Sequence, residues 1–242
     1  MGRIYVVGLG PGDKSMMTGQ AMDALENSDV IVGYKAYTEL IKDICAHKEI
    51  IESGMRQEID RCEMCIELAL SGKNVALICS GDAGVYGMAS PMLQVAQKSG
   101  FENIEIIPGI SAAMSGAAVL GAPVNHDFCV ISLSDLLTPW EVIEKRLLMA
   151  AEGDFCTVLY NPSSHKRADY LNRACNIMLT KRETDTCCGL VRNIGREGTT
   201  SEVCTLQELK DKTVDMFTTV FIGNSQTKII NGRLVTPRGY HE

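Results

Sequence analysis

Short apolar runs alternate along this chain with stretches whose apolar residues return every three or four positions. Residues 4–7 (Ile4-Tyr5-Val6-Val7), 30–32, 75–79 and 104–107 are runs of strand length, and the segments 18–27, 36–44, 86–98 and 111–120 carry helical spacing. The clearest helical register is Met55, Ile59, Cys62, Ile66 and Leu70, closed by Gly72, which predicts an amphipathic helix with a glycine stop. Strands that alternate with helices in this way predict a parallel sheet with crossover helices, an α/β fold.

Gly121-Ala122-Pro123 punctuates the pattern and a fresh series starts at 129–132, so the sequence predicts one α/β domain over 1–123 and a second over 124–242. In the second, Thr138, Pro139 and Glu141 predict a capping box ahead of Trp140, Ile143, Leu147 and Ala150. Strands are predicted at 155–160 and 187–191 with a helix over 166–179 between them. Two more at 201–205 and 216–222 are expected to run antiparallel, which makes the second sheet mixed. No internal repeat is visible.

Composition narrows the class. At 242 residues and 45% hydrophobic the chain has material for a sizeable core, and a net charge of -7 without a lysine or arginine run argues against nucleic acid as a partner. The least polar stretch, 108–124, is broken by Gly109, Ser111, Gly116 and Gly121 and falls short of the roughly 20 apolar residues of a spanning helix. No basic-then-apolar leader opens the sequence, so the expectation is a soluble, cytoplasmic protein that does not enter a membrane. Several of the ten cysteines, Cys79 among them, lie inside apolar runs and read as reduced core residues. Cys62 and Cys65 have the spacing of half a metal site, but no second such pair completes four ligands, and no metal is expected.

The loop Gly8-Leu9-Gly10-Pro11-Gly12-Asp13 directly after the first strand looks like a dinucleotide loop and fails as one. Pro11 removes an amide donor, and the acid that would hold a ribose is missing after Val32, since Asp29 precedes that strand. A nicotinamide oxidoreductase is therefore disfavoured. Ligands of open α/β sheets bind beyond the carboxyl ends of the strands, which directs attention to the loops 8–13, 33–37, 80–86, 108–112, 132–135, 161–167 and 192–198.

Read together, these loops resemble those of the tetrapyrrole (corrin/porphyrin) methyltransferase family. Gly-x-Gly-Pro-Gly-Asp at 8–13, Ser-Gly-Asp-x-x-x-Tyr-Gly at 80–87 and Pro-Gly-Ile-Ser at 108–111 occur in order. Gly-Tyr-Lys-Ala-Tyr at 33–37, the run 126–140, Tyr-Asn-Pro-Ser-Ser at 160–164 and Arg-Asn-Ile-Gly-Arg-Glu-Gly at 192–198 resemble the branch that methylates ring carbon 17 of a corrinoid precursor and contracts the macrocycle. The resemblance covers essentially the whole chain. It implies two α/β domains with a cleft between them, a homodimer, S-adenosylmethionine as methyl donor, and a tetrapyrrole substrate that brings cobalt, if any, as part of itself. By motif position, cofactor contacts are implied for Pro11, Gly81, Asp82, Val85, Ser111, Ala112, Asn161, Leu190 and Asn193.

The residues themselves leave several roles open. S-adenosylmethionine has no phosphate to neutralise, so Pro11 is tolerated there. Asp82 offers acceptors to a ligand or to its own loop. His126, Asp135 and Lys35 are candidate acid/base groups, with a structural turn competing for His126-Asp127. Tyr37, Ser132, Ser134, Arg192 and Arg196 are candidate substrate contacts; packing competes for Tyr37 and, with Tyr37's neighbour Tyr34, so does the core. Local capping competes for Ser134 and Asp135. Lys35, His165, Lys166, Arg167, Arg192 and Arg196 together form a field suited to a polycarboxylate. Three other readings stay open: a family enzyme acting at a different carbon, one methylating a protein, and a tetrapyrrole-binding or cobalt-delivery protein without catalysis.

Overall fold

The structure, a computed structural model, describes residues 1–54, 56–164 and 167–240. Its contacts divide the chain into two compact units, 1–112 and 113–242. Met55 of the predicted helical register, and His165 and Lys166 of the basic field, lie outside the described residues.

In the first unit β1 (Ile4–Gly8), β2 (Val30–Tyr34), β3 (Glu49–Ser53), β4 (Val75–Cys79) and β5 (Ile104–Ile107) form one sheet in the order β3-β2-β4-β1-β5, with every pair parallel. A parallel sheet needs both faces covered. Val6, Val30 and Leu77 pack on one face against α3 (Glu58–Leu70) and α4 (Ala89–Ser99), while Val7, Ile31 and Ile78 pack on the other against α1 (Gly19–Glu26). Cys62 and Cys65 lie on the buried face of α3, where desolvation pushes the Cys62 thiol up to about 11 and Cys65 higher still. They fill the core, and the same burial makes their thiolates unfavourable at neutral pH.

Two elements depart from the sequence pattern here. The helix expected over 36–44 breaks into α2 (Lys35–Thr38) and a 3-10 turn, Glu39–Ile41, because the Thr38 hydroxyl bonds Lys35 O at 2.9 Å and Glu52 Oε1 at 2.8 Å. β3 was not expected. It is the sheet edge, it carries Glu49 and Glu52, and none of its residues is fully buried, so its alternation is too weak to read.

The second unit opens on α5 (Ala112–Leu120), whose residues from 113 onward belong to it. Gly116 of this helix lies against Phe221 and Ile194, so the division falls at the start of α5 and not after it, at 123. There follow β6 (Gly121–Ala122), β7 (Phe128–Ser132), α6 (Trp140–Glu152), β8 (Cys156–Tyr160), α7 (Tyr170–Met178), β9 (Cys187–Arg192), β10 (Thr200–Thr205), α8 (Leu206–Leu209) and β11 (Thr218–Ile222). The main sheet runs β10-β9-β11-β8-β7, with β7 and β8 parallel and the other pairs antiparallel. This is the mixed sheet the pattern predicted. β12 (Lys228–Ile230) and β13 (Arg233–Val235) add a small sheet with β6.

The predicted capping box at Thr138 does not form. Pro139, with ψ 143°, takes the flanking position of α6, and no side chain caps it. The reciprocal pair is found instead at α8, where Thr205 N donates to Glu208 Oε2 at 2.9 Å and Glu208 N to Thr205 Oγ1 at 3.2 Å. Among the described residues no helix is long and apolar enough to cross a membrane.

Arg182 staples the end of α6 to the start of β8. Its buried guanidinium donates to Phe155 O at 3.0 Å and Ala150 O at 3.4 Å and pairs with Asp154, which in turn accepts from Ser225 N at 3.0 Å and Ser225 Oγ at 2.6 Å. Arg182→Ala would strip one buried carbonyl, one partly buried carbonyl and a half-buried carboxylate of their donor. A loss of about 3 kcal/mol is expected, read as a lower urea midpoint; an unchanged midpoint would show that water replaces the guanidinium at little cost.

Candidate functional site

The three loops that follow β1, β4 and β5 adjoin because those strands are neighbours in the sheet. Gly10, in a left-handed conformation with φ 77°, donates to Gly81 O at 3.0 Å, and Gly81, φ 70°, donates back to Gly10 O at 2.7 Å. A Cβ on Gly109 would stand 2.2 Å from Gly81 O and 2.5 Å from Gly8 O, so the backbones meet where no side chain fits. Asp82 ties the arrangement: Oδ1 accepts from Gly84 N at 2.8 Å and Oδ2 from Gly109 N at 2.9 Å. The glycines of 8–13 thus serve a loop-to-loop junction, and the next full helix begins only at Gly19, with Thr18 as its cap. Between them stands a single 3-10 turn, Lys14–Met16, whose amide end is taken by Asp13, with Oδ1 accepting from Ser15 N at 2.7 Å, and Pro11 removes a further donor.

Around the junction, Gly81, Asp82, Ser111 and Ala112 are partly exposed, Val85 is exposed, and Pro11 is buried. The structure therefore brings together the six cofactor candidates of the first unit, though Asp82 spends both carboxylate oxygens on its own loops. Lys35 and Tyr37 follow β2 in the same unit. Lys35 is exposed, while the Tyr37 ring meets Tyr34 edge-on with centroids 5.3 Å apart and packs on the core beneath.

In the second unit the carboxyl ends of β7 and β8 carry the richest polar network. Asn161, φ 54°, donates from Nδ2 to Ser132 Oγ at 2.9 Å, and Ser134 N donates to the same oxygen at 3.2 Å. Tyr160 Oη accepts from Ala113 N at 2.7 Å and so caps α5. Asp135 accepts from Tyr170 Oη at 2.6 Å and faces Arg167 Nη1 at 3.7 Å. A carboxylate so engaged anchors its loop. The hydrogen bond to Asp135, with desolvation behind it, also raises the Tyr170 hydroxyl above the ordinary tyrosine value. Tyr170 and Tyr160 were not singled out as site residues by the sequence, because each is an ordinary residue locally and its partner lies far along the chain, whereas Arg167, read only as part of a basic field, meets Asp135.

His126 does not join this group. It precedes β7 while Ser132, Ser134 and Asp135 end or follow that strand, and five residues of strand span roughly 17 Å. His126 Nδ1 accepts from Asp127 N at 2.9 Å, the structural turn weighed against an acid/base pair. Leu190 lies inside β9 with Glu202 and Val220 as register partners on either side, a strand interior and not a loop. Asn193, φ 53°, donates its amide to Phe217 O at 3.1 Å just beyond.

Arg192 and Arg196 also have partners. Arg196 lies over the Phe217 ring at 5.6 Å, and Arg192 Nε donates to Asp215 Oδ2 at 2.7 Å. Burial opposes ionisation of Asp215, but the bonds from Arg192, Thr218 and the Phe217 amide outweigh it and hold the carboxyl below its ordinary value. A depressed carboxylate stabilises above its unfolded pKa, and the contribution is lost as pH falls through the folded one. Both partners are more than a third exposed, so Arg192→Gln is expected to cost under about 1 kcal/mol at pH 7 and to flatten the loss of stability on acidification. An equally steep acid limb in that variant would show that the pair contributes nothing.

The sequence model of the tetrapyrrole (corrin/porphyrin) methylases matches residues 3–210, spanning both units. The chain belongs to this family. Among curated tetrapyrrole methylases it is 46% identical over 238 residues to a probable cobalt-factor III C(17)-methyltransferase of Salmonella typhimurium, covering 98% of this chain and 99% of that one. It is 35% identical over 248 residues to precorrin-3B C(17)-methyltransferase of a Sinorhizobium species, covering 99% and 97%. The crystal structure of the methyltransferase CobJ aligns with a TM-score of 0.90 at 35% identity, covering 98% of this chain and all of that one. The two-unit α/β architecture, with one parallel and one mixed sheet, is thus the tetrapyrrole methylase fold.

Proposed function

We propose that this protein transfers the methyl group of S-adenosylmethionine to carbon 17 of a corrinoid precursor, cobalt-factor III or precorrin-3B, with contraction of the macrocycle, in cobalamin biosynthesis. The observation that carries the reading is the end-to-end match at 46% identity to a relative named for that reaction. S-adenosylmethionine, when bound, supplies an electrophilic methyl group, so the residues have to orient and exclude water and need form no covalent intermediate. Pro11, Gly81, Val85, Ser111 and Ala112 line the cofactor loops of the first unit in this reading, and Asp82 holds those loops in place. In the second unit Ser132, Ser134 and Asp135 are the polar contacts for the macrocycle in this reading, and Arg192 and Arg196 supply positive charge for its carboxylates.

The reading includes a homodimer. The edge strand β7 and helix α6 leave Val142, Met149 and Phe155 exposed around an apolar groove of about 540 Å³, which a second copy would cover. It also includes a cytoplasmic location, which suits ten unbridged cysteines.

Strictly anaerobic incubation with S-adenosylmethionine and either precursor, followed by absorbance and product mass, tests the proposal. Gain of one methyl group with a changed chromophore is expected, and the substrate that turns over decides between the cobalt-bearing and metal-free routes. Methylation at another ring carbon would correct the position, and failure to bind S-adenosylhomocysteine would sink the assignment.

A further inference from the structure

The loop between β7 and α6 holds two leucines out in solvent, Leu136 at 59% and Leu137 at 97% exposure. Its base is braced. Asp135 takes a 2.6 Å hydrogen bond from Tyr170 and faces Arg167 at 3.7 Å. Beyond Pro139, Trp140 packs on Tyr170 with ring centroids 4.5 Å apart and lies under the Arg173 guanidinium at 4.0 Å. A braced loop that projects adjacent leucines leaves in water apolar surface that a ligand would cover. They also stand beyond the carboxyl end of a strand that is parallel to its neighbour, where open sheets take ligands.

Two guanidiniums stand at the base of this loop. Arg167 is only partly neutralised, since its buried Nη1 makes no hydrogen bond among the described residues and Asp135 stands at ion-pair distance only. Among the described residues Arg173 has the rings of Trp140 and Tyr170, and no carboxylate, as its partners. Apolar surface with cations at its base fits a ligand with a broad apolar face and peripheral carboxylates.

We infer that Leu136 and Leu137 are the docking surface for one face of the tetrapyrrole, with Arg167 and Arg173 drawing its carboxylates. This rests on the tetrapyrrole part of the proposed function and adds the element that grips the ring. The single tryptophan, Trp140, sits at the base of the loop and reports on it. Titration of the full protein with uroporphyrin III, an octacarboxylate macrocycle that needs no turnover, is expected to quench Trp140 saturably. Leu137→Ser and the double variant Leu136→Ser/Leu137→Ser should lose at least ten-fold in porphyrin affinity, with S-adenosylhomocysteine affinity by calorimetry and the melting midpoint unchanged. Absence of quenching in the wild type, or equal affinity in the variants, would overturn the inference. A changed sedimentation coefficient with unchanged porphyrin affinity would also overturn it, in favour of a subunit contact. The result is separable from the assigned reaction, since an enzyme acting on another ring carbon would pass this test and fail the methylation assay.

Discussion

Gly109→Ala is expected to abolish cofactor binding and to lower stability by about 3 kcal/mol. The new Cβ would stand 2.2 Å from Gly81 O, 2.5 Å from Gly8 O and 2.7 Å from Gly8 C, all backbone atoms in loops already bonded to each other. No flexible side chain can yield, so one of the loops must move, and both carry the carboxyl ends of central strands. Calorimetric titration with S-adenosylhomocysteine and thermal melting read the two effects. Gly19→Ala is the control, because nothing lies within 4 Å of its Cβ position at the start of α1. Near wild-type affinity and melting in Gly109→Ala would show that the three loops are not packed as described.

Asp82→Ala should follow closely. The carboxylate accepts from the amides of Gly84 and Gly109, and the second of these bonds joins the loop after β4 to the loop after β5. Loss of two charge-assisted bonds to backbone, one of them to a half-buried amide, is expected to cost about 3 kcal/mol. Asp82→Asn should recover little of it, since a carboxamide keeps one acceptor and turns donors toward the other N–H. A cofactor ligand that played no part in the loop would behave differently, with lower affinity and an unchanged urea midpoint. A loss of both in Asp82→Ala, with Asp82→Asn near it, supports the tie. Unchanged stability with lost affinity would return Asp82 to direct contact with the cofactor.

Much of the fold was legible in the chain. Val75–Cys79 and Ile104–Ile107 form the strands that their apolar runs predicted, and the register Ile59, Cys62, Ile66 forms the helix Glu58–Leu70. Elements with a buried face announce themselves by period, because burial selects the residue type at each turn or each second position. β3 and the broken helix after β2 escaped for the converse reason. One is an exposed edge, and the other is shortened by a Thr38 hydrogen bond to Glu52 on that unseen strand. The box at Thr138 was a plausible spacing with the wrong backbone, since Pro139 holds the extended conformation that flanks the helix.

The candidate site divides along the same line. Sequence by itself determined the class: a glycine loop that excludes a dinucleotide, strand-end loops dense in polar residues, and motifs that place the chain among the tetrapyrrole methylases. Only the tertiary structure decided which of those residues are already occupied. Asp82 meets Gly109 across 27 positions, Asp135 meets Tyr170 across 35, and Arg192 meets Asp215 across 23. Each meeting depends on strand order, and strand order is set by how whole apolar faces pack, not by any residue's neighbours in sequence. His126 shows the reverse case. It is close to Asp135 along the chain and at the other end of β7 in the fold, because an extended strand carries its two ends apart by the rise of every residue between them.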